Sequence, residues 1–458
     1  MGRQLNLVMF PWFAIGHITP FLHLANKLAQ NGHKTILLLP TKAKIHLDTL
    51  NYHPSLITLQ PILVPHVEPL PPGTDTASNI PIHLHTHLAT ALDLTRPQVE
   101  SLITDLDPKP DLIFYDLAYW IPDIASKFKI KTVCYKVLSA ASQAIALVPA
   151  LKLPKDRPLS EADLAHPPLG YPSSNVVFRG YETKSLLFIG FEFGSGMKFY
   201  DRVMASLTDC DVIAIRTCRE IEADFCDYIS NQYNKPVFLT GPILSEPEPN
   251  KNSLNPNLDE WLHTFDAKSV IFCSFGSQFI FEKDQFQELV LGFELTKKPF
   301  LVAVKPPIGC STIEEALPNG FKERVGNRGK IEGDWVQQTL ILGHPSIGCF
   351  VTHCGFGSMW EGLKAKCQIV MVPQLGDQIL NTRLMANELE VGVEVERGEN
   401  GWVSKESLCK AIELVMEDNE VSFRVRKNHA KWRDVLISER FIKDYIDNFV
   451  KDLENLVG

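Results

Sequence analysis

The sequence predicts an α/β protein with two domains, each built on a parallel, doubly wound sheet. Short apolar runs that predict buried strands, such as residues 5–10 and 34–39, alternate with stretches of helical periodicity such as residues 18–31. Strands separated by helices are typical of parallel sheets. The alternation restarts at residues 269–274, after a proline-rich acidic segment. A length of 458 residues is also more than one average domain.

The elements follow in order along the first domain. After the strand at 5–10, the helix at 18–31 ends before Gly32, which favours a helix stop. Further strands are predicted at residues 110–115 and 131–135, and residues 149–175 predict a surface loop.

The domain boundaries follow from the breaks in this pattern. Residues 243–256 carry several prolines and acidic residues and are predicted to be a linker. We therefore expect an N-terminal domain at 1–242 and a C-terminal domain at 257–435, followed by a helical tail at 436–458.

Composition excludes several classes of protein. The net charge is −9, which argues against a nucleic-acid partner and against a polybasic membrane surface. The N-terminal apolar stretch is short and interrupted by Pro11 and Gly16, so neither a signal peptide nor stable membrane insertion is expected. The ten cysteines include no Cys-x-x-Cys pair. Reduced structural thiols in the cytoplasm are predicted.

A glycine-rich turn is the first chemical feature. The apolar run at 348–353 predicts a strand, Gly355 and Gly357 allow a tight turn, and Ser358 is expected to cap the following helix. The N-terminus of such a helix binds anions. The turn is not a dinucleotide fingerprint, because Trp360 stands at the third glycine position. By itself, a purely structural role stays open.

The surrounding block, residues 335–378, contains the parts of a nucleotide-diphosphate-sugar site. Trp335 offers an aromatic plate for a base, and Glu361 offers a carboxylate for a ribose. The glycine turn can hold a diphosphate, and Asp377 with Gln378 can bind sugar hydroxyls.

This block resembles the signature box of plant family-1 UDP-sugar glycosyltransferases. The resemblance covers the whole chain, including His17, Asp116, the Ser-Phe-Gly-Ser sequence at 274–277 and the closing helix. It implies the GT-B fold, two Rossmann-like domains facing across a cleft, with residues 436–458 packing back on the N-terminal domain. It also implies inverting transfer of a sugar from UDP to a small acceptor. No metal or cofactor is implied, since the UDP-sugar is a co-substrate.

The resemblance also implies roles for individual residues. Trp335 would stack on uracil, the Val336 backbone would pair with the uracil edge, and Glu361 would bind the ribose. Gln338 belongs to the same donor site. The diphosphate would be held by Ser277, His353, Gly355, Gly357 and Ser358, and the sugar hydroxyls by Asp377 and Gln378.

Two departures from the family pattern stand out. Trp-Val-Gln-Gln replaces the usual Trp-Ala-Pro-Gln at 335–338, where only backbone contacts are expected at the second position. Phe356 and Gly357 replace Trp and Asn, which leaves the Gly357 backbone N–H near the phosphates. The variant at 356–361 resembles the branch that adds a second sugar to flavonoid glycosides.

His17 and Asp116 form the second constellation. His17 lies at the turn from the first predicted strand into a helix, and Asp116 directly follows a later strand. Open α/β sheets bind their ligands at such strand ends. An acceptor hydroxyl needs a base, and neutral histidine held by a carboxylate suits that task. By sequence alone, a lone histidine after a strand is more often structural than catalytic. The resemblance assigns His17 as the base and Asp116 as its partner.

Two groups of residues invite a metal-binding interpretation. His83, His85 and His87 have no nearby cysteine or carboxylate to complete a site, and the histidines are predicted to line the acceptor pocket or a solvated face. The Asp-x-Asp pairs at 105–107 and 209–211 match a common chance pattern. We expect no metal.

The sequence thus predicts a monomeric cytoplasmic transferase whose partners are a UDP-sugar and a flavonoid glycoside. The expected acceptor is the 2-hydroxyl of a 3-O-linked glucose, and an aglycone is the alternative. The donor sugar stays open among glucose, xylose, rhamnose and galactose. A Rossmann oxidoreductase or a non-catalytic nucleotide binder is the rival, but it leaves His17, Asp116 and the 377–378 pair unexplained.

Overall fold

The chain divides into two compact units. The computed structural model describes residues 3–243, 253–276 and 279–458. The first unit comprises Met1–Pro172, Leu186–Ser245 and Glu439–Gly458, and the second comprises Ser173–Ser185 and Glu246–Ser438. The segment Ser173–Ser185 therefore lies outside the N-terminal domain expected at 1–242. Its acidic side chain Glu182 pairs with arginines of the second unit, as described below.

Each unit contains one sheet in which the described strand pairs are parallel. The first sheet has the order β3-β2-β1-β4-β5-β6-β7, and the second has the order β10-β9-β8-β11-β12-β13. The strands are β1 (Asn6–Phe10), β2 (Lys34–Pro40), β3 (Ile57–Ile62), β4 (Leu112–Tyr115), β5 (Lys131–Lys136), β6 (Val212–Ile215), β7 (Val237–Leu239), β8 (Val270–Ser274), β9 (Phe300–Ala303), β10 (Gly329–Glu332), β11 (Ile347–Thr352), β12 (Gln368–Met371) and β13 (Gly392–Glu394).

Both sheets therefore have the doubly wound order of a Rossmann fold. The direction of winding reverses between β1 and β4 in the first sheet and between β8 and β11 in the second. Ligands of such sheets bind at the carboxyl ends of the strands beside this reversal.

Helices connect most of the strands within each unit. Those in the described residues are α1 (Ile15–Gln30), α2 (Thr41–Leu47), α3 (His85–Leu94), α4 (Arg96–Asp105), α5 (Ile121–Lys127), α6 (Ala140–Ala146), α7 (Phe199–Asp209), α8 (Arg219–Tyr233), α9 (Pro256–His263), α10 (Lys283–Leu295), α11 (Phe321–Val325), α12 (Gln338–Gly343), α13 (Phe356–Lys364), α14 (Gly376–Arg383), α15 (Lys405–Met416), α16 (Glu420–Leu436) and α17 (Glu439–Val457). Among the described residues, no helix combines the length and apolarity needed to cross a membrane.

The terminal helix α17 belongs to the first unit. Its residues Ile446, Phe449 and Leu453 recur at helical spacing and are buried in the core of that unit. The Phe449 ring lies 6.3 Å from the ring of Phe114 on β4. The chain thus returns to its first sheet after completing the second unit.

The start of α13 differs from the sequence-based prediction. The helix begins at Phe356 and its N-cap is Gly355, so Ser358 lies in the first turn and does not cap the helix. The reason is local, because the N–H of Met359 donates to the carbonyl of Gly355 at 2.8 Å and closes the turn earlier.

Candidate active site

His17 and Asp116 meet where the first sheet reverses its winding. His17 lies in the first turn of α1, the helix after β1, and Asp116 directly follows the adjacent strand β4. The His17 Nδ1 atom lies 2.6 Å from Asp116 Oδ2. The other carboxylate oxygen of Asp116 accepts from the N–H groups of Trp12, at 2.7 Å, and Leu117, at 2.6 Å. These contacts hold a carboxylate that is only 2% exposed.

This arrangement defines the chemistry available to His17. When Nδ1–H donates to the carboxylate, the lone pair of the ring is on Nε2, and the side chain remains 23% exposed. A neutral imidazole held in this tautomer can accept a proton, and the carboxylate then stabilises the resulting imidazolium.

A buried lysine lies beside this pair. Lys136, the last residue of β5, is 6% exposed, and its Nζ donates to the main-chain carbonyl of Asp116 at 3.1 Å. This hydrogen bond ties the main chain of Asp116 to the adjacent strand β5. No motif identified Lys136 in the sequence, because its role depends on the pairing of β4 with β5.

Aromatic side chains extend from the same turn. The Phe193 ring lies 5.3 Å from the ring of Trp12 and 5.0 Å from that of Phe199. Phe188 also contacts Phe199, at 5.1 Å, and is 43% exposed, while Phe191 is 61% exposed. The segment 188–199 thus combines rings that pack against one another with rings that are exposed to solvent.

The buried Arg202 joins this aromatic segment to the turn after Asp116. Its guanidinium pairs with both carboxylate oxygens of Asp93, at 2.9 and 2.5 Å. It also donates to the carbonyls of Phe193, at 2.8 Å, and Leu117, at 3.2 Å. A bidentate pair of this kind fixes geometry. We infer that Arg202 fixes the position of the aromatic segment relative to the turn that carries Asp116.

The second unit carries the block of residues assigned to the donor. Trp335 lies in the loop before α12 and is 80% exposed, so its indole face is free to stack on a base. The neighbouring Val336 packs partly into the core of the unit, and its carbonyl accepts from Gln338 N–H at 2.8 Å.

Gln338 links α12 to α13. Its Nε2 donates to Glu361 Oε2 at 2.5 Å and lies 3.5 Å from Ser358 Oγ. The hydroxyl of Thr339 lies 3.4 Å from Glu361 Oε1. The Glu361 carboxylate is therefore held in a fixed orientation on α13, close to the loop that carries Trp335.

The turn after β11 surrounds His353 with glycine. A Cβ atom at Gly355 would lie 2.6 Å from His353 Nε2, and one at Gly276 would lie 3.0 Å from the same nitrogen. Gly276 also has a positive φ of 68°. Only glycine fits both positions, because any side chain would collide with the imidazole. Gly276 follows β8, so His353 lies where the second sheet reverses its winding.

The environment of His353 determines its charge. Burial lowers the pKa of His353 to about 4, so the ring is neutral at physiological pH. A hydrogen bond with the main chain of Ser274 opposes part of this shift in the pKa. Gly357, in the first turn of α13, has open space around its Cα. Ser277, the other expected phosphate contact, lies outside the described residues.

Asp377 and Gln378 occupy the first turn of α14. Gln378 is 6% exposed, and its Oε1 accepts from the N–H groups of Gln374, at 3.0 Å, and Leu375, at 3.1 Å. Its oxygen thus fixes the position of the preceding loop. Asn381 donates to the carbonyl of Cys354 at 3.0 Å, which ties α14 to the turn after β11.

A buried network of four charges holds the other end of α14. Glu182 Oε1 lies 2.6 Å from both Arg383 and Arg397, and Glu394 pairs with the same two arginines. Arg397 also lies 3.3 Å from the carbonyl of Pro373, in the loop before Asp377. No motif predicted this network, since Glu182 lies 201 residues from Arg383.

The chain is similar in sequence to known proteins. A family model described as UDP-glucoronosyl and UDP-glucosyl transferase matches residues 319–429. The anthocyanidin 3-O-glucoside 2'''-O-xylosyltransferase of Arabidopsis thaliana is 55% identical over 460 residues, covering 100% of this chain and 98% of the relative. UDP-glucosyl transferase 79T1 of Saponaria officinalis is 52% identical over 459 residues, covering 100% and 99%.

The fold is also that of solved structures. Glycyrrhiza uralensis UGT73P12, complexed with glycyrrhetinic acid 3-O-monoglucuronide, superposes with a TM-score of 0.80 at 20% identity, covering 99% of this chain and 96% of that chain. At this identity the likeness concerns the fold, which is GT-B and agrees with the two parallel sheets. The sequence relatives extend the match to function, so the chain belongs to the plant family-1 UDP-sugar glycosyltransferases and is a UDP-glycosyltransferase.

Proposed function

We propose that His17 is the general base in an inverting transfer of a sugar from a UDP-sugar to an acceptor hydroxyl. Its Nε2 takes the hydroxyl proton as the oxygen attacks the anomeric carbon, and UDP leaves with the electrons of the broken bond. The 2.6 Å contact between His17 Nδ1 and Asp116 Oδ2 carries this proposal. It fixes the tautomer that can accept a proton, and Asp116 stabilises the imidazolium that forms.

For the donor, Trp335 stacks on uracil, the Val336 backbone pairs with its edge, and Glu361, held by Gln338, binds the ribose. Charge on the diphosphate is offset by the N-terminus of α13, with the N–H of Gly357 and the hydroxyl of Ser358 as donors. His353 is neutral and serves as a hydrogen-bond partner rather than as a cation. These groups supply the compensation that a metal provides elsewhere, so the transfer is metal-independent.

Replacing Trp335 by alanine should weaken UDP binding by about 1–3 kcal/mol, the usual contribution of a base stacked on an aromatic ring. Isothermal titration with UDP measures the change. Trp402, which lies after β13 in a loop, provides a control, because its replacement should leave UDP affinity unaltered. Equal UDP affinity in Trp335→Ala and in the parent protein would contradict the proposal that Trp335 stacks on uracil.

For the acceptor, we propose a flavonoid glycoside whose existing sugar is extended, with a bare aglycone as the alternative. The 55% identical relative is named for transfer to an anthocyanidin 3-O-glucoside, which supports the first option. The Phe193 ring beside Trp12 and the exposed rings of Phe188 and Phe191 in the same segment suit a planar polycyclic acceptor. The donor stays open, because one relative is named as a xylosyltransferase and another as a glucosyl transferase.

We further propose that the enzyme acts as a monomer in the cytoplasm. The ten cysteines are free thiols and eight of them are buried, as expected of a protein in a reducing compartment.

A panel of UDP-sugars tested against a flavonol aglycone and its 3-O-glucoside examines the substrate proposal. A sugar hydroxyl is less acidic than a phenol, and a site with polar groups for the first sugar disfavours acceptors that leave these groups unpaired. We expect kcat/KM to be at least about 10-fold higher for the glucoside, with the best UDP-sugar of the panel. A higher kcat/KM for the aglycone would show that the aglycone, and not the flavonoid glycoside, is the preferred acceptor.

A further inference from the structure

Three metal-ligating side chains meet in the second unit, outside the residues assigned to the donor. Asp259 and His263 are four residues apart on α9, so they project from the same face of the helix. His344 directly follows α12. Within the described ranges, these three residues form the only group of three or more His, Cys, Asp or Glu side chains whose ligand atoms converge within 4.8 Å. The run His83, His85 and His87 forms no such group.

The separations between the ligand atoms are those of a metal site. His263 Nδ1 lies 3.6 Å from Asp259 Oδ1, and His344 Nε2 lies 3.4 Å from His263 Nδ1 and 3.8 Å from Asp259 Oδ1. A tetrahedral ion with bonds of about 2.0–2.2 Å holds its ligands about 3.3–3.6 Å apart. The three atoms therefore outline one face of a tetrahedron, and small side-chain movements complete the match.

The chemistry of the three ligands selects the class of ion. Two imidazoles and one carboxylate suit Zn²⁺ and its neighbours Co²⁺ and Ni²⁺, whereas Mg²⁺ and Ca²⁺ prefer oxygen ligands alone. The His263 side chain is 64% exposed, so an ion can reach the site from solvent and keep a water as its fourth ligand.

His344 is the most buried of the three ligands. Its side chain is 7% exposed, and its Nδ1 lies 2.8 Å from Ser346 Oγ. An Nδ1–H donated to this hydroxyl leaves the Nε2 lone pair for the ion, the usual arrangement around a metal-bound histidine. Two local contacts compete, since Ser346 N–H lies 3.2 Å from the same Nδ1 and His263 Nδ1 lies 2.8 Å from the Asp259 carbonyl. An ion bound to His263 Nδ1 replaces the contact with the Asp259 carbonyl, and an ion bound to His344 Nε2 places the proton on Nδ1, which then donates to Ser346 Oγ.

We propose that Asp259, His263 and His344 bind one divalent transition-metal ion of the zinc class at a structural site. The helices α9 and α12 are already joined at their N-terminal ends. There, Asn255 N–H donates to Gln337 Oε1 at 3.0 Å, and Gln337 Nε2 donates to the Ser253 carbonyl at 3.3 Å. The ion joins the C-terminal ends of the same helices. It thereby stabilises α12, which begins beside the loop that carries Trp335, and takes no part in sugar transfer.

Zinc titration of the full-length protein tests the proposal. The protein is treated with EDTA, dialysed and titrated with ZnCl₂ by calorimetry, and thermal unfolding is then followed with and without zinc. We expect one saturable site per chain and a rise in Tm of about 2–4 °C at saturating zinc. His263→Ala should lose this site and the rise in Tm, while it retains sugar transfer. Asp259→Asn should weaken zinc binding by at least about 10-fold.

His66→Ala is the matched control. His66 is an exposed histidine that pairs with one carboxylate, Glu68 at 3.0 Å, so it represents a His–carboxylate pair without the third ligand. This variant should bind zinc as the parent protein does. If the parent protein shows no saturable zinc binding, or if His263→Ala binds zinc with unchanged affinity and stoichiometry, the proposal is wrong.

EDTA treatment should leave the transfer rate unaltered. A loss restored by Zn²⁺ in the parent protein would instead give the ion a catalytic role and overturn the structural assignment.

Discussion

Replacement of His17 by alanine is expected to lower kcat by about 10²–10⁴-fold, the usual contribution of a positioned general base. The variant loses the Nε2 lone pair that accepts the hydroxyl proton. The carboxylate of Asp116 remains in place, because it keeps its bonds from the N–H groups of Trp12 and Leu117. Initial rates at saturating donor and acceptor measure the loss.

The binding of UDP provides the control for this variant. His17 belongs to the first unit and the residues assigned to UDP belong to the second, so the affinity for UDP should be unchanged. Asp116→Asn should also slow the reaction, because an amide in place of the carboxylate favours the wrong imidazole tautomer. Near-normal turnover in His17→Ala would exclude His17 as the base.

Replacement of Glu182 by alanine is expected to destabilise the protein by about 3–5 kcal/mol, the usual cost of removing one partner from a buried ion pair. Glu182 is 4% exposed and contacts both Arg383, which is 1% exposed, and Arg397. In its absence, two buried guanidinium groups share the single carboxylate of Glu394. Chemical denaturation followed by circular dichroism measures the change.

Lys410→Ala is a matched control for the Glu182 variant. Lys410 pairs with Glu396 at 3.4 Å on the surface, where both side chains are more than 70% exposed, at 75% and 77%. Such exposed pairs contribute about 0–1 kcal/mol. Equal stability of Glu182→Ala and Lys410→Ala would show that the buried network does not hold the second unit together.

Because Arg397 also contacts the loop before Asp377, Glu182→Ala should raise the KM for the UDP-sugar.

Local periodicity explains why the fold class was predictable. Strands such as β1 and β11 are continuous apolar runs, since both faces of a parallel sheet are buried. The position of His17 and Asp116 was also predictable, because both follow adjacent strands of a doubly wound sheet. The sheet topology brings His17 and Asp116 together, although 99 residues separate them along the chain.

The parts that sequence could not predict depend on contacts between distant segments. Glu182 pairs with arginines about 200 residues away, and the loop that contains it has no motif. The Oε1 atom of the buried Gln378 accepts from the main-chain N–H groups of Gln374 and Leu375. Such main-chain contacts cannot be predicted from residue type. Likewise, the Asp259–His263–His344 cluster arises from the packing of α9 beside α12.

The structure of the product tests the central proposal most directly. Flavonol 3-O-glucoside is incubated with UDP-glucose or UDP-xylose, both of which carry the sugar in α linkage, and the product is examined by NMR. Attack by a sugar hydroxyl that His17 deprotonates, from the face opposite to UDP, predicts a β-linked sugar on the 2-hydroxyl of the existing glucose. An α linkage would contradict single-step inversion, and a new bond to a phenolic oxygen would contradict the extension of the sugar.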